Sequence, residues 1–212
     1  MRRLLTLSGL LIGVLFTVSA TAFDAGIDYQ LIDPPQPTSS GEKIEVVDVF
    51  WYGCPACNAF KPFMGRWLEA LPEDVVVVRM PASFGRADWQ LHARAFYTAE
   101  ALGILDTFHP AMFDAIHSQR KNLSTERALA AFFVEQGVER DRFTQTFNSF
   151  SVQSKARRAE SMTARYGVDG VPTVIVDGRY RSSGTLAGGI NRITDVLDHM
   201  IEQVRAERAA SE

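Results

Sequence analysis

The junction at residues 46–68 constrains the fold most: an apolar run from Val46 to Gly53 leads directly into Cys54-Pro55-Ala56-Cys57, and a helix-compatible segment, Asn58 to Leu68, follows. A buried strand that ends in C-x-x-C, with the pair opening a helix, is how a chain makes one reactive and one resolving cysteine. Pro55 suits the first helical turn, where its missing N–H has no partner to lose. With Cys54 as the cap, its sulfur faces the free N–H groups and the positive end of the helix dipole, and both favour a thiolate. Cys57, one turn inside, is then the more buried sulfur. Two other uses of the pair compete. A zinc site wants about four ligands, and beyond these two cysteines the chain offers only four scattered histidines. An inert structural disulfide rarely closes so tight a loop.

Composition is that of an ordinary globular domain, 46% hydrophobic and 22% charged over 212 residues, with length enough to bury its own core. The N-terminus reads Met1-Arg2-Arg3, an apolar stretch from Leu4 to Val18, then Ala20-Thr21-Ala22. That is the pattern of a secretory signal over residues 1–22, with cleavage after Ala22. A retained membrane anchor is the competing reading, but about 15 apolar residues is short for a bilayer span and no basic stop follows. No cysteine stands at the cleavage point to carry a lipid. Losing Arg2 and Arg3 with no acid moves the formal charge from -3 to -5, which argues against a nucleic-acid partner. Export would place Cys54 and Cys57 in an oxidising compartment.

Along the mature chain, Asp24 to Gly41 is rich in proline and small polar residues and reads as an extended lead-in with little packing of its own. Ile44 to Tyr52 is the first strand, apolar enough to be covered on both faces. Asp48 is its exception: a carboxylate six residues before Cys54 is either a strand-edge aspartate in water or a buried group with a raised pKa that serves as proton acceptor for Cys57. Val75 to Met80 completes a strand–helix–strand unit, parallel and right-handed. Helical spacing then dominates: an inserted subdomain over about residues 88–150, with Ser124 as a possible cap and Gly137 at a helix end, followed by a helix from Val152 to Tyr166 stopped by Gly167. The aromatic residues here read as core, and His92, His109 and His117 as surface or satisfied core groups. Thr173 to Val176 turns at Asp177-Gly178 and returns through Arg179 to Ser182, a hairpin by its turn chemistry. A last amphipathic helix carries Ile190, Ile193, Leu197, Ile201 and Val204. Pro172, entering a buried strand, belongs at its first residue or in a cis turn.

Taken together, Phe50-Trp51-Tyr52-Gly53-Cys54-Pro55-Ala56-Cys57, the acid at Asp48, and Gly170-Val171-Pro172-Thr173 followed by Val176-Asp177-Gly178-Arg179-Tyr180 resemble the DsbA family of exported thiol-disulfide oxidoreductases. The resemblance spans nearly all of the mature chain, residues 23–212, and implies an α/β thioredoxin fold with an inserted helical subdomain. It implies that Pro172 is cis and lies against the active-site sulfurs, and that the backbone of Val171 pairs with a bound substrate strand. It also implies a periplasmic monomer that needs no cofactor or metal, acts on reduced or unfolded exported polypeptides, and is reoxidised by a DsbB-like membrane quinone reductase. The chain departs from the pattern at Ala56, where the family typically carries histidine. Alanine gives Cys54 neither charge nor hydrogen bond, so the thiolate is expected to be less stabilised than is usual. Lys61 stands where the family often has an acid and is expected to restore some positive potential.

The reading is therefore a protein thiol oxidase working by exchange at Cys54-Pro55-Ala56-Cys57. The alternatives are a reductase or isomerase of the same fold, and a module that holds unfolded chains or metal without turnover.

Overall fold

The computed structural model describes residues 23–211, so the expected leader at 1–22 lies outside the described residues. The elements run β1 (Gln30–Leu31), β2 (Ile44–Phe50), α1 (Pro55–Glu69), β3 (Val75–Pro81), α2 (Ala87–Ala101), α3 (Leu105–His117), α4 (Glu126–Glu135), α5 (Arg140–Phe147), α6 (Phe150–Arg165), β4 (Thr173–Val176), β5 (Tyr180–Ser183) and α7 (Ile193–Ala210). Among the described residues the strands form one sheet in the order β1-β5-β4-β2-β3. β2 pairs in parallel with β3, from Ile44 against Val75 to Phe50 against Pro81, and antiparallel with β4. All seven residues of β2 are buried, because helices cover both faces of the central strand.

Alternation along β2 divides the core. Ile44 and Val46 join Phe60 and Met64 of α1 and the apolar stripe of α7. Val47 and Val49 face the other way, onto Ala159 of α6 and Tyr166 just beyond it. A third cluster fills the inserted helices, with Phe96, Phe108, Met112, Phe113, Leu129, Phe133, Phe143 and Phe147 buried together. The aromatic residues at helical spacing are thus packing residues, each large ring removing of the order of 150–250 Å² from water. This is the thioredoxin fold with a helical insertion between β3 and β4.

The details depart from the sequence reading in physically instructive places. The lead-in is packed: Tyr29 and Ile32 are buried, Gln30 and Leu31 pair with Arg181 and Tyr180, and the hydroxyls of Ser39 and Ser40 donate to the Glu45 carboxylate at 2.7 and 2.6 Å. Two paired residues show no periodicity, and their partners lie some 150 positions away. β2 ends at Phe50, not Tyr52, because the carbonyl of Trp51 already turns to accept the Cys54 N–H at 3.0 Å. Thr125, not Ser124, caps α4 by accepting the Ala128 N–H, while the Ser124 hydroxyl donates to Asn122. α6 starts two residues early at Phe150 under a Ser149 cap. β5 begins at Tyr180 rather than Arg179, and Ile190 sits in a 3-10 turn ahead of α7. The hairpin turn itself is as expected. Asp177 and Gly178 both have positive φ, and a Cβ on Gly178 would come within 2.0 Å of the Gln36 carbonyl.

Candidate active site

Residues 51–53 carry the chain from the end of β2 to the start of α1 and set up the two sulfurs. Cys54 is the cap of α1, in extended conformation, with Pro55 as the first helical residue. Its sulfur accepts the N–H of Cys57 at 3.2 Å, and its S–H donates to the carbonyl of Val171 at 3.3 Å. Both cysteines are free. Cys54 is 8% exposed and Cys57 3%. The Val171–Pro172 peptide is cis, and the Val171 carbonyl lies against the cap sulfur.

The two thiols are driven apart. Cys54 is lowered to about 6, chiefly by the hydrogen bond from the Cys57 side chain, with the N–H groups of Cys57 and Ala56 adding to it against the penalty of burial. Cys57 is raised far above the usual thiol range, first by burial, then because its S–H is engaged with Cys54. Of the four contributors to the Cys54 shift none is a charged side chain. The hydrogen bonds at the helix start therefore hold the thiolate without a histidine at position 56. Ala56 lies in a cleft that Gly170, Val171 and Pro172 also line.

Behind Cys57 is a cavity of about 250 Å³ that it shares with Asp48, Lys61, Arg79, His109 and Pro172. Asp48 reaches it because alternation puts the carboxylate on the α1 face of β2, opposite Val47 and Val49. Burial pushes Asp48 up to about 6, and Arg79, its cross-strand partner in register, pulls the other way. The strand-edge reading of Asp48 is thus excluded by its burial. Lys61 stands in this cavity, its ammonium 4.7 Å from the centre of the Phe113 ring, and is lowered by burial. It lines the cavity together with Cys57 and Asp48 and is not among the groups that shift Cys54.

The histidines form a set that spacing along the chain did not reveal. Trp51 Nε1–H donates to His92 Nδ1 at 3.1 Å, so His92 Nε2–H must donate to the Leu123 carbonyl at 3.2 Å, and the ring is neutral with its tautomer fixed. The Tyr52 hydroxyl meets His109 Nδ1 at 3.0 Å, and the Tyr52 carbonyl meets His117 Nε2 at 2.8 Å. Burial, together with Arg79 and Lys61, holds His109 down to about 3. Three imidazoles of the insertion thus grip two consecutive residues of the turn that presents Cys54. On its outer side the Trp51 indole stacks on Trp89 at 3.7 Å and 8°. Gly53 is required there, since a Cβ would lie 2.4 Å from that indole.

The sequence model of the DSBA-like thioredoxin domain matches residues 64–199, about two thirds of the chain. The chain belongs to this family. Among curated relatives, the thiol:disulfide interchange protein DsbA of Pseudomonas aeruginosa is 41% identical over 208 residues, covering 97% of this chain and 98% of its own. That of Pseudomonas syringae pv. tomato is 39% identical over the full length of both. The crystal structure of Pseudomonas aeruginosa DsbA superposes with a TM-score of 0.82 at 41% identity, over 90% of this chain and 97% of the other. DsbA from Xylella fastidiosa gives 0.79 at 33%, over 85% and 97%. The chain is a thiol:disulfide oxidoreductase of the DsbA type, with Cys54 and Cys57 as its C-x-x-C pair. Among the described residues no helix is long and apolar enough to cross a membrane.

Proposed function

We propose that this oxidoreductase works as an oxidase of exported polypeptides in the periplasm, as a monomer released from its leader after Ala22. A substrate thiolate attacks Cys54 in the Cys54–Cys57 disulfide; the S–S bond breaks, its electron pair leaves on Cys57, and a substrate–Cys54 mixed disulfide forms. A second substrate thiolate attacks the substrate sulfur and expels Cys54 as thiolate. The substrate gains a disulfide and the enzyme holds two more electrons, with one proton retained on Cys57. Asp48 serves as the group through which Cys57 exchanges that proton, by way of the cavity both line. The Val171 backbone pairs with the substrate segment, Pro172 keeps it against the sulfurs, and Pro55 and Ala56 tune Cys54 from the helix start. Lys61 acts on the Cys57 side of the pair. A DsbB-like membrane quinone reductase returns the dithiol to the disulfide.

The observation that carries the direction of exchange is the split between the thiols. A Cys54 lowered to about 6 leaves the mixed disulfide readily and stabilises the dithiol product, which favours taking electrons from substrates. The test is oxidation of a reduced, unfolded multi-cysteine protein by the disulfide form, with a glutathione equilibrium alongside. Oxidation that disappears in Cys54→Ala is expected. Insulin reduction driven by dithiothreitol, with no oxidation of the unfolded protein, would show that the chain is a reductase.

A further inference from the structure

Beside Cys54 lies a second cleft of about 420 Å³, which Ala56 does not line and which the exchange chemistry itself does not explain. Cys54 and Pro55 stand at one end, and Asp169, Gly170 and Val171 line it together with Trp51, Trp89, Phe84 and Arg86. The aromatic side is a continuous assembly: Trp51 is stacked on Trp89, Phe84 meets Trp89 edge-on with centroids 5.7 Å apart, and the Arg86 guanidinium sits 5.1 Å from the Trp89 ring. Trp51, Trp89 and Phe84 are each only partly buried, and Arg86 is exposed. The stack stands at the protein surface beside the reactive sulfur, where its partly exposed rings can meet a bound group.

We infer that this cleft is a substrate subsite that takes an aromatic side chain flanking the substrate's cysteine. The proposal rests on the oxidase reading above and names the substrates that this enzyme prefers. Continuity with the reacting atoms decides the occupant. A polypeptide joined to Cys54 has its neighbouring residues within a few ångström of that sulfur, and the cleft shares both Cys54 and Val171. Complementarity decides the chemistry. An entering ring meets aromatic groups that favour edge-on or offset contact, and its electron-rich face suits the Arg86 guanidinium already poised over Trp89.

The test uses two reduced two-cysteine peptides that differ only in the residue beside the first cysteine, phenylalanine or serine. Each rate is divided by the same protein's rate with dithiothreitol, which presents no flanking residue. The wild-type protein is expected to favour the phenylalanine peptide in kcat/KM by about two- to tenfold, the range of one aromatic contact. Trp89→Leu should bring that ratio close to one, and Arg86→Gln, a change at an exposed position, should lower it partway. Equal peptide rates in the wild type, or a preference that survives both substitutions, would overturn the subsite. A protein that exchanges with dithiothreitol but shows no peptide preference loses only this proposal. One that exchanges with neither loses the oxidase reading and the subsite together.

Discussion

Replacing Cys57 by alanine removes the largest contributor to the low pKa of Cys54 while leaving the helix start in place. The S–H of Cys57 is gone, but the backbone N–H groups of residues 56 and 57 still point at the Cys54 sulfur. A thiol at about 6 is, at pH 7, roughly ten parts thiolate to one of thiol, whereas an unperturbed thiol near 8.5 is only a few per cent ionised. Losing the side-chain hydrogen bond should raise the midpoint by at least about one pKa unit, on the order of 1.4 kcal/mol. Serine at 57 keeps a donor and should recover most of the shift. The assay is the ultraviolet thiolate absorbance of each reduced protein, referenced to its alkylated form. The linkage has a definite sign. Because the folded pKa is lowered, thiolate stabilisation of the reduced protein is complete above the unfolded thiol pKa and is lost as pH falls through about 6. Denaturant midpoints of reduced and oxidised protein should therefore converge toward acid. A Cys57→Ala protein that still titrates at about 6 would show that the backbone N–H groups suffice and that the side-chain hydrogen bond is incidental.

Other substitutions test other parts of the site. Asp48→Asn should slow the steps in which Cys57 gains or loses a proton while leaving the Cys54 absorbance titration in place. It should also remove a stability loss that, for a carboxyl raised to about 6, sets in as pH climbs from the unfolded value near 4; pH-resolved exchange rates and denaturant midpoints report both effects. Ala56→His should lower Cys54 further and make the protein more oxidising by roughly 30 mV per pKa unit, read from a glutathione equilibrium. Gly53→Ala should force the Trp51 indole off Trp89 and cost on the order of 1–3 kcal/mol in a denaturant titration. His92→Leu strands the Trp51 N–H and the Leu123 carbonyl, with a similar expected cost, whereas His92→Gln, able both to accept and to donate, should recover part of it.

What could be read from the chain is what local rules govern. The run from Val46 into Cys54-Pro55-Ala56-Cys57 specifies strand, turn and helix within a dozen residues, and the Asp177-Gly178 turn specifies its hairpin, because each depends on neighbours in sequence. Asp48 was legible as an anomaly, one of two carboxylates, with Glu45, among the seven buried residues of β2. The imidazole grip was not, because the Trp51–His92, Tyr52–His109 and Tyr52–His117 contacts join residues 41, 57 and 65 positions apart, and only the packing of α2 and α3 beside the turn creates them. Lys61 shows the same limit. Its place in the sequence suggested positive potential for the reactive pair, but its side chain lines the cavity behind Cys57, which Cys54 does not line.

The opposite fates of two sulfurs one helical turn apart follow from the direction of their hydrogen bonds more than from depth alone. Burial raises both thiols, and both belong to the same cluster as Phe96, Phe108, Met112 and Phe113 of the insertion. What differs is the flow of donors. The sulfur of Cys54 receives the Cys57 S–H and the N–H groups of residues 56 and 57, all of which strengthen when it becomes an anion. Cys57 gives its proton to that bond, so ionising it would forfeit the donor and set a second negative charge beside the first, with Asp48 close enough to add a third. The first proton must leave from Cys54, whatever residue stands at position 56. Substituting Ala56 can adjust the depth of that asymmetry but not reverse it, since the asymmetry comes from the helix start and from the cluster in which the insertion encloses both sulfurs.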